Sequence, residues 1–124
     1  MYLTKNKNKK GLRGLMANIY TNAKVDLTTT GETVLYTTPS NSRAIVKSLL
    51  ISNDAGSAAT ITVTLTNAAS AVFSLFKTKS IASNDSEQLL TEPLILLESE
   101  VLKVTASDAN ELHVVSSILE INRD

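Results

Sequence analysis

The one histidine, His113, is the first residue to ask about chemistry. It lies between Leu112 and Val114 in an apolar stretch. A catalytic role would need a nucleophile or an orienting acid brought beside it by the fold. A histidine-based metal site would need more His or Cys ligands than the chain has, since it carries one His and no Cys. The lack of Cys also removes disulfides and thiol catalysis. Carboxylates are the remaining acid–base candidates. Glu98 and Glu100 lie two apart at a turn, a spacing that lets them share a face. Asp54, Asp85 and Asp108 sit in three separate turns, and none follows the regular oxygen spacing of an EF-hand loop. These acids read as solvated turn residues, with a calcium ion held between loops as the alternative. No Gly-rich phosphate loop, nucleophile elbow or dinucleotide fingerprint is present. Gly11-Leu12-Arg13-Gly14 is too short for such a loop and reads as chain flexibility. The residues therefore predict a protein that is not an enzyme, with no catalytic, metal or cofactor residues and no cofactor.

Charge is the other candidate feature. Formal net charge is zero, from twelve basic and twelve acidic residues. Five of the cations, Lys5, Lys7, Lys9, Lys10 and Arg13, fall in residues 1–16, which hold no acid. Residues 17–124 keep seven cations against all twelve acids. The sequence thus divides into a basic N-terminal arm, residues 1–16, and a body, residues 17–124. Asn6, Asn8, Gly11 and Gly14 argue against a stable helix in the arm. Its cations are the predicted partner-binding residues. A basic arm can contact an acidic protein surface, including the acidic body of a neighbouring copy. A merely solvated tail is the second reading, and nucleic-acid phosphate the third, because aromatic stacking partners are few.

The elements that would position these residues follow from periodicity. With 43% hydrophobic and only 4% aromatic residues, the core must be aliphatic. The length of 124 residues suits one domain. Apolar residues recur every second position: Ala23, Val25, Leu27; then Ile61, Val63, Leu65; then a β-rich run from Leu112 to Ile121. Strands are predicted over 19–28, 33–38, 43–53, 59–66, 71–77, 86–90, 94–97, 100–106 and 111–121. Asn-, Ser-, Asp- and Gly-rich turns separate them. Residues 44–51 are apolar on both faces, which suits a central strand; a helix over 44–52 is the competing reading. Phe73 and Phe76, three apart, are placed on opposite faces of one strand, one in the core. The expected fold is all-β: an antiparallel, jelly-roll-like β-sandwich of about eight strands with a flexible basic arm. No run reaches the 18 apolar residues of a membrane helix, and no apolar segment follows the basic start as in a secretory signal.

Certain stretches also resemble a known family. Val34-Leu35-Tyr36-Thr37-Thr38-Pro39 leads into Ala44-Ile45-Val46-Lys47-Ser48-Leu49-Leu50-Ile51-Ser52-Asn53. Later, Leu94-Ile95-Leu96-Leu97 is followed by an acidic turn, by Val101-Leu102-Lys103-Val104-Thr105-Ala106-Ser107, and by a closing run from Leu112 to Ile121. Over about residues 19–121 this series resembles the small β-sandwich virion proteins of tailed bacteriophages, of the capsid-decorating, neck and tail-associated kinds. Members often carry a Gly-Asp type turn before the Leu-Lys-Val strand; here Glu98-Ser99-Glu100 stands in that place. The resemblance implies a virion-located structural subunit, most simply one that decorates or cements the capsid shell. Its implied partners are other virion proteins, of capsid or neck and tail, and copies of itself in a homo-oligomer, with no membrane. A neck, tail or fibre subunit with a receptor- or glycan-binding role is the alternative, although no Trp and only five aromatic residues supply a sugar platform. The resemblance implies no catalytic residue.

Overall fold

The computed structural model describes residues 16–123. Nine strands are present among them: β1 Met16–Asp26, β2 Thr33–Thr37, β3 Ser42–Asn53, β4 Ala59–Thr66, β5 Val72–Ile81, β6 Asp85–Gln88, β7 Leu94–Leu96, β8 Val101–Ala106 and β9 Leu112–Arg123. All nine predicted strands occur. The β-branched and aliphatic run at 44–52 is strand, because its residues alternate between core and surface rather than following a helical period.

Every ladder is antiparallel, and the strands form two sheets. One runs β1–β9–β3, with β6 and β7 both bonded to the far side of β3. β6 covers the C-terminal part of β3 and β7 its N-terminal part, so the two short strands fill a single position. The second sheet runs β2–β8–β4–β5. The partners β1:β9, β2:β8, β3:β6/β7 and β4:β5 are those of one long antiparallel ribbon whose tip is the β4–β5 turn. Rolled up, such a ribbon gives an eight-position jelly roll, with successive strand pairs falling in alternate sheets. The β-sandwich inferred from alternation is the observed architecture.

The aliphatic core lies between the sheets. Val46, Leu49 and Ile51 of β3, Ile61 and Val63 of β4, Leu102 and Val104 of β8, and Leu112, Val114 and Ile118 of β9 are fully buried. Burying each such side chain contributes about 1.5–3 kcal/mol. Val46 and Leu49 both face inward although three residues apart, which strict alternation forbids. A bulge solves this: Ser117 faces Ser48 while Ile118 faces Val46, leaving Lys47 unpaired.

Two further bulges shape β5. Phe73 faces Leu65 and Phe76 faces Val63, so the extra residue puts both rings on the inward side. This corrects the opposite-face placement. Phe76 packs on the core, whereas Phe73, near the end of an edge strand, remains 52% exposed. β5 also continues past residue 77, through Thr78 at φ 49°. A β-branched residue rarely adopts that angle; here the Thr78 N–H donates to Thr62 Oγ1 at 3.0 Å. Elsewhere, positive φ falls at turn residues: Asn41, Ser70, Asn84, Ser99 and Asn110. Ser99, at φ 66°, supplies the left-handed residue in the turn that lacks glycine.

Candidate functional site

His113 points outward from β9. Its Nε2 lies 3.2 Å from Asp26 Oδ1 on β1, and Ser52 of β3 is its opposite neighbour on the other side. Sequence reasoning missed this Asp–His–Ser row because the three residues lie on strands paired only by the fold. The order imitates a hydrolytic triad, but the geometry does not complete one. No Ser52–His113 hydrogen bond forms, and His113 and Asp26 are both solvent-accessible on an open face. Backbone N–H groups lie in the plane of the sheet, so none points at an oxyanion above the face. An exposed pair of this kind contributes at most about 1 kcal/mol.

The turn carboxylates are structural. Glu98 Oε2 accepts the Asn41 N–H at 2.6 Å, and Glu100 Oε1 accepts the Leu97 N–H at 2.8 Å. The two acids thus pin different loops. Beside Glu98, Arg43 and Arg123 line a cavity of about 200 Å³ with Ser42 and Ile121. Asp54, Asp85 and Asp108 belong to the opposite end of the sandwich. Among the described residues no group of three or more His, Asp or Glu side chains is placed to hold a metal ion.

A hydrogen bond between two side chains ties the sheets together. Tyr36 Oη on β2 donates to Glu120 Oε2 on β9 at 2.6 Å. Burial, then this bond and the nearby negative charge, push the Tyr36 phenol well above its ordinary pKa.

The unusual surface is the outer face of the β1–β9–β3 sheet. Cross-strand registers place Tyr20, Leu119, Ile45 and Ile95 side by side on four neighbouring strands. Tyr20 is 76% and Ile95 52% exposed, with Leu119 and Ile45 half-buried. Val115 and Leu50 form a second exposed apolar pair further along this face. The outer face of the other sheet is different, carrying Thr60, Thr62, Thr64 and Thr66 along β4. Among the described residues the two most exposed aromatics, Tyr20 and Phe73, lie in different sheets and make no common stacking platform.

Charge is also polarised along the strands. Asp26, Asp54, Asp85, Asp108 and Glu111 gather at one end, where the connections 27–32, 54–58, 82–84 and 107–111 contain no Lys or Arg. β1 enters at the other end, directly after the basic segment. The arm residues Lys5, Lys7, Lys9, Lys10 and Arg13 lie outside the described residues.

No protein-family model matches the chain, and no curated protein matches it in sequence. Among solved structures, the chain is similar to one in the structure of infectious bursal disease virus (Gt strain), with TM-score 0.45 and 8% identity over 90% of this chain. The chain spans about a third of that protein's length, the match covering 33% of it. Likeness at this level does not extend to function. The fold and surface define a jelly-roll sandwich with an apolar row across one outer face.

Proposed function

We propose that the protein is a non-enzymatic structural subunit of a virion, built into the particle in many copies by protein–protein contacts. Within that class we assign it to the head shell of a tailed phage, as a decorating or cementing subunit. The observation that carries the reading is the Tyr20–Leu119–Ile45–Ile95 row, an apolar band crossing four neighbouring strands of one outer face. Contiguous apolar surface is costly to leave in water and marks a contact face. Support also comes from the strand order, since jelly rolls recur in capsid proteins, although they recur in lectins as well. The sequence resemblance to tailed-phage virion proteins favours the first of these, and among the described residues no paired aromatic platform supports the second.

The test is to purify particles and look for the chain by mass spectrometry and in reconstructed density. Stoichiometric copies on the shell are expected, with the apolar row turned toward a neighbour. Finding the protein only in lysate, never in washed particles, defeats the assignment.

A further inference from the structure

The edges of the two sheets are protected unequally. β2 is five residues long with a register break, β5 is bulged and carries Lys77 and Lys79, and β6 and β7 span four and three residues. Short strands, bulges and lysines are the usual devices against edge-to-edge pairing. β1 is the exception: eleven residues in unbroken register with β9, and no strand on its other side among the described residues.

The phase of its free edge can be worked out. The Leu27 N–H donates to the Leu112 carbonyl at 3.1 Å, and these residues continue the β1–β9 register. Bonded pairs alternate in an antiparallel ladder. Odd-numbered β1 residues therefore bond β9, and the N–H and C=O groups of Asn18, Tyr20, Asn22 and Lys24 point away from the sheet.

We propose that this edge binds the same edge of a second copy, antiparallel about a two-fold axis at Thr21. The inference names the first partner in the multi-copy assembly proposed above. In this register Asn18 faces the second copy's Lys24, and Tyr20 faces its Asn22, so every free group of those four residues is paired and no like charges meet. Exposed Ile19 covers the second copy's Ala23. The two apolar rows lie on the same face of the joined sheets, offset by two residues across the axis.

Charge selects this partner and this direction. Antiparallel pairing sets residue 16 of one copy opposite Asp26 of the other. The basic segment, with its five cations, then emerges against the end holding Asp26, Asp54, Asp85, Asp108 and Glu111. Fifteen residues reach up to about 50 Å, enough to cross that end. A ladder of this length buries less than the roughly 800 Å² per partner typical of stable interfaces, so the dimer is expected to depend on protein concentration and on salt.

The chain has no native Cys, so single cysteines report the register directly. In the full-length protein, Thr21→Cys places two sulfurs in a close, non-bonded pair across the axis, within disulfide reach. Ala23→Cys places them several residues apart. Under mild oxidation Thr21→Cys is expected to form a covalent dimer and Ala23→Cys is not. By light scattering, the unmodified protein should be dimeric, weakening as salt rises. Asn22→Pro removes an outward N–H that β9 does not use, and should yield a folded monomer with an unchanged circular dichroism spectrum. A monomeric wild type, equal cross-linking of both variants, or a dimer indifferent to Asn22→Pro overturns the pairing. Presence or absence of the chain in purified particles, scored separately, bears only on the virion assignment.

Discussion

Replacing Tyr36 by Phe tests how the two sheets are held together. The hydroxyl donates across the sandwich to Glu120, at 2.6 Å and half-buried. Without it, the carboxylate keeps its desolvation but loses a protein donor. Bonds to charged groups contribute about 1.5–3 kcal/mol net. Water can reach this site in part, so the expected loss is about 1–2 kcal/mol. For a domain of this size that lowers Tm by roughly 4–10 °C. The pH dependence provides a sharper signature. The folded Tyr36 holds its proton well above the pH at which an unfolded tyrosine, near pH 10, releases it. Below that pH the contribution is complete. Above it the unfolded state binds fewer protons than the native state, so stability falls, by up to about 1.4 kcal/mol per pH unit. The fall ends once pH passes the folded pKa. The Phe variant lacks this slope, and the gap between it and the wild type should narrow as pH rises. Urea midpoints of wild type, Tyr36→Phe, Glu120→Gln and the double variant, measured at neutral and alkaline pH, give both quantities and their coupling. Equal stability with equal alkaline slopes, or a coupling energy near zero, would refute the inter-sheet link.

Leu102→Ala, in the middle of the second sheet and fully buried, should cost about 2–5 kcal/mol in chemical denaturation, since it opens a cavity between the sheets. Asn53 is buried. Its Nδ2 donates to the Ser57 and Ile81 carbonyls at 2.9 and 3.2 Å, and its Oδ1 accepts the Ala55 N–H at 2.9 Å. Asn53→Ala strands three backbone groups, costing about 2–4 kcal/mol, with faster hydrogen exchange at Ala55. Ser99→Gly relieves a left-handed backbone at φ 66° and should raise stability by up to about 1 kcal/mol in a thermal melt.

The strands were legible because alternation is local. Ile61-Thr62-Val63-Thr64-Leu65 states its own two faces whatever it packs against, and Asn41, Asn84 and Asn110 mark turns that need positive φ. The same locality explains the errors. A bulge reverses the phase of everything after it, and only a partner strand reveals one. Alternation alone sets Phe73 and Phe76 on opposite faces, whereas the β4–β5 register puts both inward. The local pattern likewise ends at residue 77, whereas the strand kinks at Thr78 and continues to Ile81.

By itself, the amino-acid sequence determined an aliphatic all-β sandwich, the number and approximate limits of its strands, and the separation of a basic segment from an acidic body. Tertiary structure alone decided which strands became neighbours. It set Asp26 and Ser52 beside His113, joined Tyr36 to a carboxylate 84 positions away, and turned Tyr20, Ile45, Ile95 and Leu119 outward as one row. The reason is that an apolar residue in a strand specifies only that it prefers burial. Where both faces are apolar, as in β3, the choice of inner face is made by the opposing sheet, through contacts between residues far apart in the chain.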